Sequence, residues 1–154
     1  MGHHEHVPVD VRTEIVIDAP RDKVADYAAN PANAPDWYVN INSVEWVTPE
    51  PMQLGSKVAF VARFLGRTLR YTYEIVALEP RQRLVMRTAE GPFPMETTYT
   101  WSSVGESATR MILQNRGEPK GSSKLVAPLM APAMRRANRK DLSRLKSIME
   151  RQRS

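Results

Sequence analysis

Apolar and polar residues alternate along this chain in two different rhythms. From Val9 to Ile17 the period is two, with Val11, Thr13, Ile15 and Ile17 on one side and Arg12, Glu14 and Val16 on the other. That is the pattern of a strand with one buried face. The segment IDAPRDKV then turns the chain into a helix. Pro20 suits the first helical position, where no N–H is needed, and Asp22 puts a carboxylate in the first turn, at the positive end of the helix dipole. Val24, Tyr27 and Ala28 supply an apolar face, and Asn30-Pro31 ends the helix because the residue before a proline is pushed out of helical geometry. Ala32 to Val39 has room only for a short second helix or turn, which delivers Trp37 and Tyr38 onto whatever lies beneath.

Six further strand signals follow: Ile41 to Thr48, Lys57 to Leu65, Thr68 to Leu78, Arg83 to Thr88, Met95 to Ser102 and Ala108 to Arg116. The segments between them are short and rich in turn residues (PEPMQLG, Gly66-Arg67, EPRQ, AEGPFP, SVGES), which predicts antiparallel neighbours. One sheet face collects Val58, Phe60, Ala62 and Phe64, then Leu69, Tyr71, Tyr73 and Ile75, then Met95, Thr97, Tyr99 and Trp101, then Met111 and Leu113. Arg63, Arg70, Glu74, Glu96 and Arg110 fall on the other face.

From Lys124 to Arg151 the period lengthens to that of a helix. Val126, Leu129, Met130, Ala133, Met134, Ala137, Leu145 and Ile148 form a broad stripe, with Arg135, Arg136, Arg139, Lys146 and Glu150 opposite. Pro128 and Pro132 predict that the regular part begins near Pro132 or that the helix bends there.

Composition narrows the chemistry. At 154 residues and 42% hydrophobic content the chain can bury one sizeable core, so residues 9–150 are expected to form a single domain behind a tag-like or disordered stub, 1–8. There is no apolar run of membrane-spanning length and no secretory signal pattern, and a cytoplasmic location is expected. The absence of cysteine excludes disulfides, thiolate metal sites and a cysteine nucleophile. All three histidines, His3, His4 and His6, lie in the stub, so the body from Val7 onward has no serine-histidine or histidine-metal mechanism open to it. No cofactor and no metal are expected.

The net charge of +5 is concentrated late in the chain. Arg116 to Ser154 holds eleven Lys/Arg against three Asp/Glu, whereas the preceding 115 residues hold eleven against fourteen. The basic outer face of the last helix is a candidate contact for an anionic membrane. The plainer reading is a solvated face, and no specific nucleic acid is expected, because no exposed aromatics interleave the charges.

The order of elements, with IDAPRDKV, NPANAPDWYVNINSVEW, LGSKV, YEIVALEPRQRLVMR and DLSRLKSIME at its junctions, resembles the SRPBCC/START-like superfamily, typified by the birch-pollen allergens. The likeness is strongest to the polyketide cyclase/dehydrase and lipid-transport branch and covers roughly residues 9 to 150. It implies an α+β helix-grip fold: a curved antiparallel sheet of about seven strands wrapped around a long C-terminal helix, with two short helices after the first strand. It also implies a cavity between sheet and helix for a hydrophobic small molecule such as a lipid, quinone or polyketide-like compound.

Candidate lining residues are Trp37, Phe60, Phe64, Tyr71, Tyr73, Met86, Met95, Tyr99, Asn115, Met130, Met134 and Asp141. Each aromatic taken alone is more often part of an ordinary core. Asp141 is the informative member, because it falls inside the apolar stripe with Asn138 beside it, where a carboxylate needs a partner. Two partners are open to it: Arg144, near the helix surface, or a polar cluster of tyrosines and Asn115 lining the pocket. The resemblance allows two functions, a non-catalytic binder and a polyketide aromatase/cyclase or dehydratase that works without metal or histidine. The lack of a histidine or a recognisable acid-base pair in the body favours the binder.

Overall fold

The computed structural model describes residues 9–64, 66–91, 94–117 and 123–151, with the side chains of Phe64 and of 123–129 outside that description. The stub with its histidines also lies outside it. In order come β1 (Val9–Ile17), α1 (Arg21–Ala29), a 3-10 turn (Pro31–Asn33), α2 (Ala34–Trp37), β2 (Ile41–Trp46), β3 (Lys57–Phe64), β4 (Arg67–Glu79), β5 (Arg83–Glu90), β6 (Met95–Val104), β7 (Ala108–Gly117) and α3 (Ser123–Arg151). The strands form one antiparallel sheet in the order β1-β7-β6-β5-β4-β3-β2. Consecutive strands from β2 to β7 are neighbours, as their short links require. β1 closes the far side by pairing with β7, from Val9 opposite Gly117 to Ile17 opposite Thr109. The segment holding α1 and α2 therefore carries the chain from one edge of the sheet to the other.

The period-two reading holds on the inner face. Val9, Val11, Thr13 and Ile17 of β1 are buried, as are Met95, Thr97, Tyr99 and Trp101 of β6 and Thr109, Met111, Leu113 and Asn115 of β7. β5 departs from it: Leu84, Val85 and Met86 are buried in succession, beside a register shift against β4 between Ile75 and Ala77.

The junction after β1 is tied down by polar contacts. The Thr109 hydroxyl donates to the Ala19 carbonyl at 2.7 Å, and Val24 N–H to that of Pro20 at 3.1 Å. Pro20 is the N-cap in extended geometry (φ −63°, ψ 147°), so the helix begins one residue after the expected first position. Asn30, extended before Pro31, ends α1, and its side chain accepts from Ala32 N–H at 3.0 Å. The buried face of α1 is Val24, Ala25 and Ala28, while Tyr27 is only partly covered.

α3 packs along β1 and meets α1 and α2. It is helical from Ser123, so Pro128 and Pro132 lie inside it and the regular part does not wait for Pro132. Its buried face runs through Met130, Met134, Asn138, Asp141, Leu142, Leu145 and Met149. Lys146 and Glu150, expected on the water side, instead serve the open edge of β1. Lys146 Nζ donates to the Val16 carbonyl at 2.9 Å and to Glu150 Oε2 at 2.6 Å, and Glu150 accepts from Asp18 N–H at 2.8 Å. Backbone groups at a sheet edge need partners, and the long side chains at the end of α3 supply them. No helix among the described residues is long and apolar enough to cross a membrane.

Candidate ligand cavity

The interior divides into a filled end and an open end. Beneath α1 and α2, Ile17, Val24, Trp37, Leu84, Trp101, Met111, Leu142 and Leu145 pack into one continuous core. Toward the N-terminal half of α3, side chains leave a cavity of about 140 Å³. At roughly 30 Å³ per water in the liquid, it has room for about five waters, far more than a packing defect in a close-packed interior.

Its walls come from three directions. β3 and β4 contribute Phe60, Leu69, Tyr71 and Tyr73; β5, β6 and β7 contribute Met86, Met95, Thr97, Tyr99 and Asn115; α3 contributes Met130, Met134, Ala137, Asn138 and Asp141. The segment after α2 adds Tyr38, Asn40 and Ile41. Tyr73 sits edge-on to Phe60, with ring centres 5.6 Å apart, and 5.9 Å from Tyr71. Gly91 is required beside Tyr71, because a Cβ there would lie 2.6 Å from the tyrosine ring. Exposed Arg63 stands at the rim, although alternation put it on the outer face. The β2–β3 register shifts between Ile41 and Ser43, and Arg63 N–H donates to the Asn40 carbonyl at 2.8 Å, where regular pairing ends.

One of the expected lining residues does not appear in this wall. Trp37 is wholly buried and stands behind it, its ring 4.2 Å from that of Tyr38 and 5.8 Å from that of Tyr99. α2 is a single turn, so neighbouring residues on it point to different sides, and Tyr38 takes the place expected of Trp37. The Phe64 side chain falls outside the described residues. The other ten candidates all border the cavity. The residues missed include five polar ones, Tyr38, Asn40, Arg63, Thr97 and Asn138. Thr97 carried a signal, since it lies in phase with Tyr99 and Trp101 on the inner face of β6.

The polar groups form two clusters in an apolar shell. In one, the Thr97 hydroxyl donates to Asn115 Oδ1 at 2.9 Å and also contacts the Tyr73 hydroxyl. Burial pushes the Tyr73 phenol up to about 12, the Thr97 contact opposing it. In the other, the hydroxyls of Tyr38 and Tyr99 are hydrogen-bonded to each other; burial raises both phenols, and nearby Asp141 adds to the rise.

Asp141 is only 2% exposed. Its Oδ1 accepts from Val39 N–H at 2.8 Å, a backbone donor left without a helical partner just past the end of α2. Burial pushes the carboxyl up to about 7 from an ordinary 3.8, with the Val39 N–H and then the Arg144 charge opposing that rise. The surface pair with Arg144 is therefore not what holds Asp141. Arg144 stands outside, lining a separate groove on α3 with Val39, Arg139, Lys140, Ser143 and Ser147.

Comparison with solved structures agrees with this architecture. Zhui aromatase/cyclase from Streptomyces sp. R1128 superposes with a TM-score of 0.83 at 17% identity, covering 96% of each chain. The TTHA0849 protein from Thermus thermophilus gives 0.81 at 23% identity, over 94% of this chain and 99% of that one. A START superfamily protein from Mycobacterium smegmatis gives 0.78 at 12% identity, over 95% and 98%. At these identities the likeness establishes the helix-grip fold. Comparison with curated proteins gives no match. The family model described as polyketide cyclase/dehydrase and lipid transport matches residues 8–150. With a match spanning nearly the whole sequence, the chain belongs to the polyketide cyclase/dehydrase and lipid transport family.

Proposed function

We propose that the protein binds a hydrophobic small molecule, a lipid, quinone or polyketide-like compound, between the sheet and α3. The observation that carries this reading is the cavity itself: aromatic and methionine walls around a few placed polar groups, beside a core that is otherwise filled. Native mass spectrometry of the purified protein, followed by extraction, tests it directly by identifying a co-purifying molecule. Met134 is buried against the cavity, and its replacement by Trp projects an indole into the free space. Met134→Trp is expected to abolish uptake of an apolar fluorescent probe while the melting temperature stays within a few degrees of wild type. If Met134 faced a filled core, the same change would cost about 1–3 kcal/mol of stability and leave probe uptake intact.

A second reading, cyclisation or dehydration of a poly-β-ketone in the same cavity, has one specific observation in its favour. Asp141 is a buried carboxyl titrating near 7, beside the Tyr38 and Tyr99 hydroxyls. A group poised near the working pH can both accept and donate a proton. Turnover of a poly-β-ketone analogue separates an enzyme from a carrier. In a carrier, the basic outer face of α3 is the surface suited to meeting an anionic membrane.

A further inference from the structure

Three side-chain nitrogens among the described residues are buried without a hydrogen-bond partner: Nε1 of Trp37, Nε1 of Trp101 and Nδ2 of Asn138. The two indoles belong to the filled core. Asn138 borders the cavity and is only 4% exposed. A buried amide donor is normally satisfied, so one left free in the wall of a largely apolar space points to an acceptor that arrives with the occupant. Asparagine is also a poor helix former, and α3 places it on the buried face one turn before Asp141.

We infer that Asn138 is the residue that selects the ligand, donating its Nδ2–H to a neutral carbonyl oxygen of the bound molecule, so that the cavity takes apolar ketones or quinones in preference to hydrocarbons of the same shape. This rests on the binding function proposed above and names the oxygen chemistry that function requires. Several neighbouring polar groups hold one another: the hydroxyls of Tyr38 and Tyr99, Thr97 with Asn115 Oδ1, and Asp141 Oδ1 with Val39 N–H. Among the fully buried side-chain donors of the described residues at this wall, Asn138 Nδ2 is the one without a partner. An apolar occupant lacking an acceptor would strand that N–H, which lowers its affinity by about fivefold or more. Once ionised, Asp141 one turn away repels a bound carboxylate, so a neutral oxygen is the better fit beside it.

The test uses 2-acetylnaphthalene and its hydrocarbon isostere 2-isopropenylnaphthalene on wild type and Asn138→Leu. In wild type, the ketone is expected to bind more tightly, relative to the hydrocarbon, than the partition of the two between water and alkane would give. Its carbonyl stretch should lie at lower wavenumber than in alkane. Asn138→Leu should weaken ketone binding about tenfold and strengthen hydrocarbon binding, because the stranded donor is gone and the wall has become apolar. An affinity ratio that is the same in both proteins, or an alkane-like carbonyl stretch in wild type, overturns the inference while leaving the binding function standing. If neither probe binds wild type, the binding function falls and the inference with it. If the variant binds neither because it has lost its fold, the wild-type carbonyl stretch decides alone.

Discussion

Replacing Trp37 by alanine is expected to destabilise the fold by about 3–5 kcal/mol, as measured by chemical denaturation. Its indole is wholly buried in the main core and backs the rings of Tyr38 and Tyr99. Removing it opens a void that a single-turn helix cannot collapse to fill. The loss should also reach the cavity, since Tyr38 and Tyr99 then have nothing behind them, and probe affinity should fall along with stability. Trp37→Phe should be much milder, because a ring remains and the unpartnered Nε1–H is removed. A cost below about 1 kcal/mol for the alanine variant would mean that Trp37 faces the cavity, as a lining residue would, and not packed neighbours.

Asp141→Asn is expected to stabilise the protein at alkaline pH, the reverse of what loss of an ion pair would do. The folded-state carboxyl titrates near 7 and the ordinary value is 3.8, so between those limits the folded protein holds a proton that the unfolded chain has released. Its contribution therefore turns unfavourable as pH rises from about 4 to 7 and stays so above. Asparagine keeps an oxygen to accept Val39 N–H and never ionises. Wild type and variant should be similar near pH 4. By pH 8 the variant should be more stable by ~2–4 kcal/mol, the scale expected for a carboxyl raised from 3.8 to about 7. The groups that face Asp141 are Val39 N–H, the Tyr38 and Tyr99 hydroxyls and, at longer range, Arg144, and only Arg144 is a cation. Urea titrations of both proteins at the two pH values check this. A variant less stable than wild type at pH 8 would show that the charged carboxylate is held by stronger partners than these.

The two expectations turn on neighbouring structure that differs in how far it could be read in advance. Trp37 was legible as an aromatic at a closure, yet which side of α2 it faced was not, because a four-residue helix has no periodicity to read. Asp141 was legible as inward-facing because it interrupts a long apolar stripe. Its partner was not, since Val39 is 102 residues away and offers a backbone N–H that carries no sequence signature.

Local patterns alone specify the strands, the antiparallel pairing of β2 through β7, the first small helix and the long amphipathic α3, with β1 matched end for end. Period two, period 3.6, Pro and Gly each act over a few residues, so the chain displays them directly. Which inward residues meet one another, and which meet empty space, is settled by packing in three dimensions. Tyr99 and Trp101 stand two residues apart on one face of β6, yet the first borders the cavity while the second lies in the filled core. Lys146 and Glu150 read as water-facing until the edge of β1 came to lie beneath them. Whether a site is filled depends on the sum of side-chain volumes brought together from β3 through β7 and α3, and whether a polar group is satisfied depends on what reaches it across that space. Both are properties of distant residues taken together, which no window along the chain contains.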